Sequence, residues 1–102
     1  MTGRVELLWF ADCTNHAAAR RMLEEVIAEL VPGTPVHDLD ATDAATAERV
    51  RFSGSPTIRV DGRDIDPAGA STRPALNCRI YHLPDGRVSP VPTREQLEEA
   101  LR

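Results

Sequence analysis

The stretch "LLWFADCTNH", residues 7–16, decides the fold. Val5, Leu7, Leu8, Trp9 and Phe10 form a nearly continuous apolar run, the pattern of a central strand buried on both faces. Directly behind it, Ala19, Met22, Leu23, Val26, Ile27 and Leu30 recur at helical spacing. Arg20, Arg21, Glu24, Glu25 and Glu29 fill the opposite face. The spacing predicts a helix from about Thr14 to Val31, stopped by Pro32-Gly33. Cys13 therefore falls where a strand hands over to a helix N-terminus, with His16 one turn further on.

Working outward, Val36 to Asp40 reads as a short second strand. Thr42 or Asp43 caps a second helix through Arg51, with Ala44, Ala47 and Val50 facing inward. Thr57 to Val60 is a third strand, Asp61-Gly62 a two-residue hairpin turn, and Arg63 to Ile65 the returning fourth strand. Residues 66–78 read as a loop, followed by a short extended piece over Arg79 to Leu83 and a turn at Pro84-Asp85-Gly86. Thr93 and Gln96 are spaced as a capping box for a last helix, Arg94 to Arg102, with Leu97 and Leu101 as its inner stripe. The order β-α-β-α-β-β-α combines a right-handed parallel crossover with an antiparallel hairpin and a covering helix. It predicts an α/β sandwich around one mixed four-stranded sheet. In that sheet Trp9 and Phe10 are expected to fill the core. His37 is expected on a solvated edge, and Tyr81 and His82 at the surface.

The bulk numbers set bounds. A chain of 102 residues without repeats is expected to form a single domain over 1–102. With 41% hydrophobic and 27% charged residues it is an ordinary soluble globular composition, not a disordered one. A net charge of −4 argues against nucleic acid as a partner. The N-terminal apolar run is broken by Glu6 and is too short for a signal peptide or membrane span, so no membrane association and a cytoplasmic location are expected. In a reducing compartment, two cysteines are catalytic, metal-binding or inert more often than a permanent staple.

Two local features resemble the thioredoxin fold. One is Cys13 at the strand-to-helix junction. The other is "SGSPTIRVDGRDI", residues 53–65, which resembles the cis-proline segment that enters the third strand of thioredoxin-like proteins. More narrowly, Cys13 to His16, Gly54 to Thr57 and Cys78 to Tyr81 are similar to motifs of small bacterial thioredoxin-like proteins. Those carry Cys-x-x-His or Cys-x-x-aromatic with Gly-Ser-Pro-Thr, and some are described as alkylmercury lyase-like. The resemblance implies a cis bond before Pro56 and places that proline against the motif cysteine. No cofactor and no resident metal are expected. One departure is plain: His16 stands where the dithiol motif has its second cysteine, so a disulfide within this motif is ruled out.

The residues suggest how such a site works. A thiolate is the reactive form of cysteine. The helix N-terminus and His16 favour it at Cys13, while Asp12 opposes it. Ser55, Pro56 and Thr57 are expected to present a backbone edge to an extended thiol substrate. Cys78, ending the 66–78 loop, is the candidate resolving cysteine. Cys13, His16 and Cys78 are thus the expected catalytic set of a thiol–disulfide oxidoreductase, acting on a protein or low-molecular-weight thiol or disulfide. Two alternatives stay open at this level. The same three residues offer two sulfurs and a nitrogen to a soft metal or organomercurial. Or the chain is a non-catalytic interaction module that uses the flank from Arg63 to Pro92.

Overall fold

The structure is a computed structural model and describes residues 4–11, 15–52, 54–66, 81–83 and 85–102. In chain order the elements are β1 (Val5–Trp9), α1 (Asn15–Leu30), β2 (Val36–Asp40), α2 (Ala44–Arg49), β3 (Thr57–Val60), β4 (Arg63–Asp64), β5 (Tyr81–His82), β6 (Val88–Ser89) and α3 (Arg94–Leu101). β1 to β4 form a mixed four-stranded sheet in the order β2-β1-β3-β4. β1 runs parallel to β2, Val5 opposite Val36 and Trp9 opposite Asp40. It runs antiparallel to β3, Leu8 opposite Thr57 and Val5 opposite Val60. The fold is thus an α/β, thioredoxin-like arrangement, as the apolar run of β1 predicts for an inner strand.

β1 feeds two apolar layers because its side chains alternate between faces. Val5 and Leu7 join Ile58 beneath α1, which contributes Ala19, Leu23, Val26 and Ile27, and α3, which contributes Leu97 and Leu101. On the other face Leu8 and Phe10 meet Ala41, Ala47 and Phe52. The Phe10 and Phe52 rings there pack edge to face, 6.2 Å apart and at 80°. α3 docks beside α1, and Arg94 reaches across to Glu29 and Glu25 while also bonding Glu98 one turn on. These carboxylates, Glu29 first, raise the Arg94 pKa further above its ordinary value.

Turn chemistry sets the element ends. Asp61 and Gly62 take φ values of +52° and +82°, the left-handed pair that a tight hairpin requires. Thr93 and Gln96 complete the capping box, Gln96 N–H to Thr93 Oγ1 at 3.1 Å and Thr93 N–H to Gln96 Oε1 at 2.9 Å. The Gln96 amide also donates to the His82 carbonyl and so ties α3 to β5. Asp43 caps α2 by accepting the Thr46 N–H at 3.0 Å.

α2 ends sooner than Arg51, and the reason is local. Phe52 N–H reaches back to the Ala47 carbonyl at 2.8 Å and Arg51 N–H to the Glu48 carbonyl at 3.1 Å, the Schellman pattern. It puts Arg51 at φ +55°, where a side chain is disfavoured and glycine is not. The Arg59 guanidinium then donates to the carbonyls of Val50 and Arg51, both at 2.8 Å, and closes the helix end. Arg51→Gly keeps those backbone partners and is expected to raise the unfolding free energy by about 0.5–1 kcal/mol. Urea denaturation measures it, and a loss of stability would show that the Arg51 side chain outweighs its backbone conformation.

The region after residue 80 departs from the prediction. A return strand, Val88–Ser89, pairs antiparallel with Tyr81–His82 in a separate two-stranded sheet. Two-residue strands carry no hydrophobic period, so nothing in the sequence pattern marks β6. Tyr81 was expected at the surface and is instead fully buried. Its hydroxyl donates to the Pro56 carbonyl at 2.7 Å, so the phenol enters the interior without losing a hydrogen bond. His82 is exposed, as is His37 on the edge strand β2.

Candidate functional site

The candidate site gathers where β1 ends, β3 begins and α1 starts. Because Leu8 lies opposite Thr57, the antiparallel register brings the segment just before β3 alongside the last residues of β1. Ser55, Pro56 and Thr57 are all buried there. The Ser55–Pro56 peptide bond is cis, Gly54 has φ +112°, and the Thr57 hydroxyl donates to the Gly54 carbonyl. Tyr81 braces the same segment from β5 through its bond to the Pro56 carbonyl.

His16, the second residue of α1, is half-buried. Its ring lies flat against the Trp9 indole, with centroids 4.8 Å apart and planes at 20°. The Nδ1 atom is buried and has no hydrogen-bond partner among the described residues. Trp9 is itself held. Its Nε1–H donates to the Asp38 carboxylate, whose other oxygen pairs with Arg20 from α1. Trp9 therefore does not lie within the core beside Phe10, as expected, but sits half-buried at its rim. The indole needs a partner for its N–H, and Asp38 is near enough to water to supply one.

A second small network ends at β2. The Ala11 N–H donates to the Thr42 hydroxyl at 3.1 Å. That hydroxyl donates to the Asp40 carboxylate, and the Thr42 backbone N–H adds a bond at 2.9 Å. These two hydrogen bonds, the hydroxyl one first, hold the Asp40 carboxyl below its ordinary pKa, with His16 adding a smaller Coulombic pull. A depressed carboxylate stabilises the fold above its unfolded-state pKa and loses that contribution as pH falls through the folded one. Thermal unfolding followed from pH 6 downward is therefore expected to show a steeper acid limb for the parent than for Asp40→Asn. Parallel limbs would remove the linkage.

Of the residues expected at the site, His16, Ser55, Pro56 and Thr57 fall at this end of the sheet. Cys13 and Cys78 lie outside the described residues, as does the 67–80 segment that carries Cys78. Asp66 and His82 flank that segment and are bonded to each other. The buried Asp66 carboxylate accepts the His82 N–H and lies 3.0 Å from its ring Nδ1. Among the described residues no group of three or more His, Cys, Asp or Glu side chains is placed to hold a metal ion, and none of the helices is long and apolar enough to cross a membrane.

Sequence reasoning missed Trp9, Asp38 and Tyr81 as site neighbours. Trp9 and Asp38 are 29 positions apart, and Tyr81 is 25 from Pro56. No local period links such pairs. Only the strand register, once drawn, brings Asp38 beside β1.

No protein-family model matches the chain, and no solved structure matches it significantly. It is similar to human protein disulfide-isomerase A4, at 26% identity over a 102-residue alignment that covers 91% of this chain and 16% of that protein. The chain thus spans about one-sixth of the length of this curated relative. With the sheet order and the helix placement, the similarity supports a thioredoxin-like relationship.

Proposed function

We propose that the chain performs thiol–disulfide exchange through Cys13, with His16 as its acid–base partner and Cys78 as the resolving thiol. The observation that carries this reading is His16 itself. It stands in the first turn of α1, three residues after Cys13, with a buried ring nitrogen that has no partner among the described residues. A neutral imidazole there can take the thiol proton, and an imidazolium favours the thiolate. The similarity to a protein disulfide-isomerase agrees with this class of chemistry.

The step balances as ordinary exchange. The Cys13 thiolate attacks one sulfur of a substrate disulfide, the substrate S–S bond breaks, and the second substrate sulfur leaves as thiolate, taking a proton from solvent or His16. The mixed disulfide is then resolved when the Cys78 thiolate attacks the Cys13 sulfur and releases the other half of the substrate as thiol. The substrate disulfide is reduced to two thiols, and the protein dithiol is oxidised to a Cys13–Cys78 disulfide. An external dithiol resets it. Ser55, Pro56 and Thr57 form the floor of the site in this reading, and the substrate is a protein or small-molecule disulfide.

The test uses oxidised glutathione on the folded protein, read by intact mass and peptide mapping. The parent chain is expected to lose two hydrogens as Cys13 and Cys78 join. Cys78→Ser is expected to stop at one glutathione on Cys13. Two thiols that stay free in the folded protein, yet react once it is denatured, overturn the proposal.

A further inference from the structure

We infer that Trp9 and Asp38 are positioning residues that hold the His16 ring in the plane from which it serves Cys13. The inference rests on the thiol–disulfide reading and goes beyond it by assigning roles to a strand tryptophan and an edge-strand carboxylate. Three observations converge. The Trp9 and His16 rings are stacked, which removes one face of the imidazole from water and fixes its tilt. The Trp9 Nε1–H is bonded to Asp38, so the indole cannot turn about its own bonds without breaking that contact. Asp38 is held in turn by Arg20, one turn further along the same helix as His16. The network closes on itself: α1 carries the histidine and the arginine, β1 the indole, and β2 the carboxylate. Asp40, at the end of β2, also lies within Coulombic reach of His16, but the ring's Nδ1 has no hydrogen-bond partner among the described residues. Histidines that act on a neighbour are usually aimed by a bond from one ring nitrogen. Here a flat aromatic contact takes that part, and Nδ1 is left without a partner among the described residues.

The experiment works in a Cys78→Ser background, so that Cys13 is the single thiol. The rate of alkylation by iodoacetamide is measured against pH for the parent, His16→Gln, Trp9→Leu, Trp9→Phe and Asp38→Asn. His16→Gln is expected to move the midpoint of the profile up by about one pH unit, a tenfold loss of thiolate near neutrality. Trp9→Leu removes both stack and hydrogen bond and is expected to give at least half that shift. Trp9→Phe keeps a ring but not the N–H, and Asp38→Asn keeps the shape but not the charge. Each is expected to give a smaller shift, and the two together no more than either alone, because both break one link. Trp9 is the chain's single tryptophan, so its emission reports the stack independently and is expected to change in His16→Gln. Should His16→Gln shift the profile while Trp9→Leu and Asp38→Asn leave it unmoved, the positioning role is overturned and the thiol–disulfide reading stands. An unmoved profile in His16→Gln removes the histidine's role, and the positioning inference with it.

Discussion

Cys13→Ser is expected to lower the rate of disulfide exchange by about 1000-fold or more, to that of the uncatalysed reaction. The reason is the nucleophile. A serine hydroxyl does not ionise near neutral pH and cannot form the mixed disulfide on which the second step depends. The exchange of sulfur for oxygen changes the side-chain volume little, so circular dichroism and urea denaturation should place the variant close to the parent. Cys78→Ser is expected to behave differently. It leaves the first attack intact and removes the internal resolution, so a mixed disulfide on Cys13 accumulates until an outside thiol releases it. Release of the substrate half from Cys13 then depends on the concentration of that thiol, whereas in the parent Cys78 releases it and an outside dithiol is needed only to reset the Cys13–Cys78 disulfide. The asymmetry between the two variants separates the readings. Equal loss in both would mean that neither cysteine acts alone. Full activity in Cys13→Ser would remove Cys13 as the nucleophile, whereas no exchange activity in the parent would leave only an interaction module.

How much of this was legible in advance depends on the range of the interaction. The β1 strand, the α1 helix and the Asp61-Gly62 turn follow from residues that are neighbours in sequence, because apolar period and turn conformation are local properties. The Thr93 and Gln96 cap is likewise a spacing of three. The end of α2 was misplaced because an arginine occupies a left-handed position that composition assigns to glycine. The stack of Trp9 on His16 was invisible for another reason. Trp9 is apolar enough to count as core, and only the alternation of β1 shows that it shares the α1 face. Asp38 read as one more polar residue on an edge strand, and nothing nearby in sequence names its partner. The candidate site was therefore readable as a place in the fold, but its supporting contacts were not, since they join segments whose distance along the chain leaves no pattern.

Tyr81 is the case where that gap has the largest energetic consequence. It is among the largest fully buried side chains, although its neighbour His82 faces solvent. Tyr81→Ala removes a whole aromatic ring from a packed interior and is expected to cost about 3–5 kcal/mol, the range for buried aromatic truncations. Against a total of about 5–15 kcal/mol for a domain, that is a third or more of the stability in many cases. Tyr81→Phe keeps the ring and deletes only the hydroxyl, so the Pro56 carbonyl loses its donor. The expected cost is about 1–2 kcal/mol, a lost hydrogen bond plus part of the desolvation of its former partner. Urea denaturation of both variants apportions the residue's contribution between packing and hydrogen bonding. A Tyr81→Ala protein within about 0.5 kcal/mol of the parent would return Tyr81 to the surface, since that is the margin for substitutions that touch no core. Tyr81→Phe also reaches the site. It removes the bond from the Tyr81 hydroxyl to the Pro56 carbonyl, which ties β5 to the segment before β3, while the ring still fills its place. Glutathione addition at Cys13 is therefore expected to slow in Tyr81→Phe with the fold intact. An unchanged rate would confine Tyr81 to stability.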